Sequence, residues 1–206
     1  MDPAHWRPCD VAALRIASAW VCFARDASGP GAAGDPAWAA ALMMRGQRII
    51  EHAVVYGAAA AGYIPGLLGL RIGPLLCEAV GRLARSWDVL LVDATGRDHP
   101  RRAGLALHLG AVLEQPTVGV TNRALVADGA WPEDTTGAAA PLLLDGETVG
   151  FWLRSRAGTR PIAVHAAWRT DPNTALTVVM ACTGRMRTPF PLRQARRIAR
   201  QARAGT

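Results

Sequence analysis

Five residues, Asp88-Val89-Leu90-Leu91-Val92, followed at once by Asp93, constrain this chain more than any other stretch. A continuous apolar run bounded by polar residues reads as a central strand buried on both faces. Such a strand needs a layer of structure on each side, which points to an α/β architecture rather than a helical bundle. The surrounding residues 62–110 hold, in order, a Tyr-Ile-Pro-Gly turn, an amphipathic helix, this strand, a loop with His99, Arg101 and Arg102, and the start of another helix. An acid at a strand end with a histidine six residues on is a suitable pair for acid/base work.

The rest of the chain is read from that strand outward. An apolar, β-like run over residues 15–23 predicts a strand, and residues 37–44 and 47–56 predict two more around an Arg45-Gly46 turn. The Gly/Pro/Ala-rich segment 25–36 is a long connection, and residues 58–61 are a low-complexity linker. Leu75, Leu76, Ala79, Val80 and Leu83 recur at helical spacing, so a helix is expected over 74–85 with Pro74 in its first turn. A second helix is expected over 102–113 and a short strand over 117–120. Residues 127–140 read as a mobile Gly/Ala/acidic loop. Strands are expected at 142–144, 149–154 and 162–164, separated by Asp145-Gly146 and Ala157-Gly158 turns. A helix over 171–182 is capped by Asp171 with Pro172 at its first position. A meander followed by βα alternation makes a mixed central β-sheet flanked by helices.

The length of 206 residues suits one domain, residues 1–206, with a loose N-terminal arm (1–10) and a basic C-terminal tail (185–206) in which residues 193–203 make a basic, solvated or phosphate-contacting helix. No apolar run reaches the ~18 residues of a membrane span, and no signal-like leader opens the chain, so the expected location is the cytoplasm, away from membranes. Cys9, Cys22, Cys77 and Cys182 are scattered without a CxxC pair, which suggests reduced thiols and not a disulfide frame or metal site. The net charge is +7 and every basic side chain besides histidine is arginine, a balance compatible with a polyanionic partner.

Three segments carry a family resemblance: GYIPGLLGLRIGP, LLVDATGRDHPRRAGLALHLG and PTVGV. With them, the span 15–197 resembles the endonuclease V family. That resemblance implies a ribonuclease H-like fold and an enzyme that cuts nucleic acid one phosphodiester beyond inosine, using Mg²⁺ held by carboxylates. It assigns Tyr63 as the wedge that fills the gap left by a flipped base. Pro65, Gly66, Leu67 and Leu68 fall on the wall of the base pocket, and Gly104 and Gly119 on structural glycines. Asp93 falls on the metal-binding aspartate and His99 on the histidine of the next loop.

The chain departs from the family at the chemical positions. Arg71-Ile72-Gly73-Pro74 stands where the resemblance implies Arg-Glu-Gly-Pro, so Ile72 replaces the glutamate. Trp20 stands at the first strand's aspartate, with Asp26 as a neighbouring acid. Asn122 replaces a lysine, Ala166-Ala167-Trp168 replaces Pro-Gly-His, with His165 just before it, and Phe190 replaces a second glutamate. A lone carboxylate is a poor Mg²⁺ site, since the ion favours several oxygens.

These departures set the functional expectations. The first is an endonuclease V-like protein that has lost metal-dependent cleavage, its cleft turned into an aromatic pocket for a small organic or heteroaromatic ligand. Trp20, Tyr63, Ile72, Asn122 and Trp168 would line that pocket with the Pro65-Gly66-Leu67 turn. Any catalysis there would be metal-free and cofactor-free acid/base chemistry (cyclisation, elimination or hydrolysis) by Asp93, His99 and His165, with Asp98 as another partner for His99. The alternatives are a nuclease-dead binder of strands with flipped or deaminated bases, and an active, divergent endonuclease V. In either, Arg101 and Arg102 would meet phosphates.

Overall fold

The structure is a computed structural model, and it describes residues 5–25 and 29–205. Asp26 lies outside the described residues. An eight-stranded sheet runs through the molecule in the order β3-β2-β1-β4-β5-β8-β7-β6. Strands β1 (Arg15–Phe23), β2 (Pro36–Arg45) and β3 (Arg48–Ala58) form the antiparallel meander. Strand β4 (Val89–Val92) lies parallel between β1 and β5 (Thr117–Thr121). Strands β6 (Ala139–Leu144), β7 (Glu147–Leu153) and β8 (Ile162–Ala166) complete the sheet antiparallel.

Both faces are covered, as the unbroken apolar run of β4 requires. Leu90 and Val92 point to one side, where they pack with α1 (Leu68–Gly81) and α2 (Leu105–Leu113). Val89 and Leu91 point to the other, under α3 (Pro172–Thr183). Helix α4 (Phe190–Ala204) covers β1 and β2 on that same side. All four β4 residues are buried. At ~25 cal/mol per Å² of apolar surface, each such side chain contributes about 1.5–3 kcal/mol.

Four differences from the sequence reading have physical causes. Helix α1 begins at Leu68, six residues before Pro74, so the proline sits inside it. Pro74 cannot donate to the carbonyl of Leu70, but Leu70 is on the exposed face, where water can take the donor's place. The helix of the basic tail is docked rather than solvated on all sides. Leu192, Ala195, Ile198 and Ala199 form a buried stripe that fixes α4 to the sheet, while its arginines fall on the remaining faces. Segment 127–140 is fastened rather than loose. Asp128 and Leu143 exchange backbone hydrogen bonds at 2.9 and 2.7 Å, and Gly137 N donates to the Arg154 carbonyl at 2.8 Å. The arm is also anchored within its described part, where Trp6 N donates to Arg169 O at 2.6 Å.

Candidate active site

The parallel pairing of β1 with β4 sets Ala19 opposite Val92. One residue further along come Trp20, still within β1, and Asp93, the first residue past the end of β4. Loops after β4 and before α1 close over this edge and leave a cavity of about 320 Å³. Tyr63, Gly66, Leu68, Asp93, His99 and His108 are among the residues lining it.

The Tyr63 wall is built by a turn and an arginine. Leu67 N donates to Ile64 O at 2.9 Å, with Pro65 and Gly66 between them. Gly66 has φ 76°, which explains a glycine after the proline. Behind it, the buried Arg71 donates to the carbonyls of Ala32 at 2.7 Å and Ala61 at 2.8 Å, and to Asp35 Oδ2 at 2.6 Å. Its guanidinium also stacks on Phe23 at 4.4 Å. Tyr63 N donates to Gly31 O at 2.9 Å, so one buried cation ties together the two loops that place Tyr63.

His99 is committed to the same turn. Its Nδ1 accepts from Arg101 N at 3.2 Å, so the ring proton sits on Nε2 and is given to Gly66 O at 3.1 Å. The expected Asp93–His99 and Asp98–His99 partnerships are therefore absent from the hydrogen bonding of this loop. Asp98 turns the opposite way. It is wholly buried and accepts from the backbone of Leu125, Val126 and Ala127, each at 2.7 Å.

Asp93 has a different partner. Arg196 of α4 donates from Nη2 to Asp93 Oδ2 at 3.2 Å, and its guanidinium lies 4.2 Å from the centre of the Trp20 ring. Burial pushes the Asp93 carboxyl above the usual aspartate range, while the charge and hydrogen bond of Arg196 pull against that rise. Nothing in the sequence marked Arg196 among so many arginines. The one available signal is its place beside the apolar Ala195, at the edge of the stripe that docks α4.

Several other expected residues lie away from the cavity wall. His165 is buried behind it on β8, with Nε2 hydrogen-bonded to Thr121 Oγ1 at 2.7 Å. Asn122 Oδ1 accepts from Arg187 at 2.7 Å. Trp168 packs its Cβ side against Gly110, and its backbone N–H donates to Thr117 Oγ1 at 3.1 Å. Ile72 belongs to the apolar cluster under α1, with Leu75, Leu76 and Val92. Trp20 packs among the residues beneath α4, so the two tryptophans do not share one pocket with Tyr63. Arg101 is exposed above the Gly66 turn, whereas Arg102 is held by Asp145 at 2.8 Å and Glu147 at 2.6 Å. Added Cβ atoms at Gly104 and Gly119 would run into the carbonyls of Thr95 and Ala94, so both glycines serve close backbone packing.

The donor set does not fit the Mg²⁺ that the resemblance implies. Asp93 faces a guanidinium, Ile72 sits in apolar surroundings, and no group of three or more His, Cys, Asp or Glu side chains able to hold a metal occurs among the described residues. No catalytic step is therefore assigned to a metal.

Comparison with known proteins bears on the function and the fold. The sequence model of the family described as Endonuclease V matches residues 15–197. The chain is 44% identical over 160 residues to Endonuclease V of Nocardia farcinica, covering 76% of this chain and 70% of that protein. It is 37% identical over 175 residues to Endonuclease V of Roseiflexus sp., covering 84% and 79%. The crystal structure of Endonuclease V from Streptomyces avermitilis superimposes with a TM-score of 0.87 at 29% identity, covering 100% of this chain and 86% of that one. The mixed sheet and its flanking helices are thus those of the endonuclease V structures, a ribonuclease H-like fold.

These relatives overturn the first functional expectation. Identity of this extent to proteins named Endonuclease V favours an active endonuclease over a pseudo-nuclease with a pocket for a small organic ligand. Neither Trp168 nor Asn122, on which that pocket relied, is among the residues lining the cavity. Among the described residues no helix is long and apolar enough to cross a membrane. The chain belongs to the endonuclease V family.

Proposed function

We propose that this chain acts on nucleic acid as an endonuclease, binding a strand across the Asp93 edge of the sheet with one base turned into the neighbouring cavity. The observation that carries this reading is the extent of identity to relatives named Endonuclease V, 44% over 160 residues and 37% over 175. The cavity supports it. Its Tyr63 and Gly66 wall is fixed by buried Arg71 and by His99, and its volume of about 320 Å³ is at the lower end of ligand-sized sites. Apolar and aromatic walls suit the stacking of a flipped base.

The chain's own groups offer two contributions to hydrolysis of the phosphodiester. The Arg196 guanidinium can neutralise charge on the phosphate. Asp93, raised by burial, can take a proton from the attacking water as oxygen bonds to phosphorus and the P–O bond to the leaving sugar oxygen breaks. That leaving oxygen takes its proton from solvent. The test is incubation with an inosine-containing single strand and a matched strand carrying adenosine. Cleavage next to inosine is expected; a protein that binds both strands and cuts neither overturns the endonuclease reading.

A further inference from the structure

Arg196 is a cation held in place on two sides and open on a third. Its guanidinium rests on the Trp20 ring at 4.2 Å and gives one hydrogen bond to Asp93 at 3.2 Å. The side chain nevertheless keeps 38% of its exposure. A guanidinium carries five N–H donors in a planar fork, a match for phosphate oxygens that a stacked, pre-oriented side chain makes at little entropic cost. Arg196 also continues into a track. Arg193, Arg196, Arg197 and Arg200 line one groove along α4, and among the described residues no acid lines it with them. Asp93 is the acid that faces this end of the groove, and Arg196 already answers its charge.

We propose that Arg196 is the phosphate-binding cation of the cleft, that the α4 groove carries the phosphates next to it, and that strand binding consequently needs no divalent ion. The proposal rests on the reading of the chain as a protein that acts on nucleic acid. It explains how a cleft whose donors do not fit Mg²⁺ can still hold a polyanion. The positive charge is covalently part of α4, beside the aspartate where the family resemblance implies a metal. It also gives Trp20 a purpose. Its ring supplies the face on which the guanidinium lies, an arrangement that an aspartate at the same position cannot provide.

The experiment is equilibrium binding of a fluorescein-labelled, inosine-containing single-stranded DNA, followed by anisotropy in EDTA and in Mg²⁺ at several salt concentrations. Wild-type affinity is expected to agree within about twofold between the two buffers, and Arg196→Gln to weaken binding about tenfold in both, with the slope of log K against log salt shallower by about 0.7. Glutamine keeps the stem that covers Trp20, and an unchanged melting temperature checks the fold. Asp93→Asn, which removes the competing anion, is expected to bind as tightly as wild type or more so. Wild-type binding that is lost in EDTA and restored by Mg²⁺ overturns the proposal while leaving the nucleic-acid reading intact. So does an Arg196→Gln variant with wild-type affinity and slope. A wild-type protein that binds no strand in either buffer overturns both.

Discussion

His165 Nδ1 stands 3.7 Å from Asp98 Oδ2, and neither side chain has any exposure to solvent. The pair joins β8 to the loop after β4, directly behind the cavity. Asp98 is occupied by three backbone N–H groups of residues 125–127, which hold Leu125 at the cavity wall. Burial therefore outweighs the attraction of Asp98, and His165 is pushed down from 6.5 to about 4. It is a neutral structural imidazole in the folded protein, not an acid/base group of the cleft.

A pH dependence of stability follows. Because the folded state binds the His165 proton less tightly than the unfolded chain, the unfolded state takes up more protons below the unfolded value. Stability is full above pH 6.5, falls as the pH drops from about 6.5 to about 4, and levels off below for this group. The loss is on the order of 3 kcal/mol at most. Urea unfolding of wild type and His165→Gln across this range should show a much flatter profile for the variant.

Asp98→Asn keeps the shape but offers one acceptor oxygen in place of two, and no charge. Three N–H groups, that of Ala127 buried and the other two partly so, then compete for it, and the expected cost is about 2–3 kcal/mol. Amide exchange should accelerate first at Leu125, Val126 and Ala127. Global destabilisation without that local signature would argue against the role given to Asp98.

Arg71→Met retains apolar bulk on Phe23 but leaves the carbonyls of Ala32 and Ala61 without their donor. A loss of about 2–3 kcal/mol is expected from two such groups. Strand binding should weaken more than stability alone explains, since both loops that place Tyr63 are released. Asp35, held below the usual range by the Arg71 hydrogen bond, should return toward it, which an NMR titration can follow.

Gly66→Ala separates backbone strain from crowding. The added Cβ would sit 3.6 Å from His99 Nε2, an ordinary contact, but φ 76° is unfavourable for alanine. A stability loss of about 1 kcal/mol is expected. A larger loss, reproduced by His99→Ala, would show that the His99–Gly66 hydrogen bond is being broken as well.

Much of the fold was legible because its signals are local. The apolar run of β4, the Asp171-Pro172 helix start and the Pro65-Gly66 turn each state their conformation within a few residues, and Asp171 indeed accepts from Thr174 N at 2.7 Å. The C-terminal run was legible as a basic helix but not as a docked one, because charge conceals its apolar period. The Ala195, Ile198, Ala199 stripe is short and small, and arginine stems can cover apolar surface while their heads reach water. The site was harder. Family segments located Tyr63, Asp93 and His99, all of which line the cavity. Partner choice, however, depends on rotamers and distant elements. Asp93 meets an arginine over a hundred residues away, and His99 meets a carbonyl on the preceding turn.

The most direct test of the account is single-turnover cleavage of an inosine-containing single strand by wild type, Asp93→Asn and Arg196→Gln. Removal of a general base is expected to slow cleavage about 10²–10⁴-fold in Asp93→Asn while strand affinity holds, and Arg196→Gln should lose both affinity and rate. A wild-type protein that binds the strand but never cuts it, or one whose cutting is indifferent to Asp93→Asn, would contradict the assignment of this cleft as the endonuclease site.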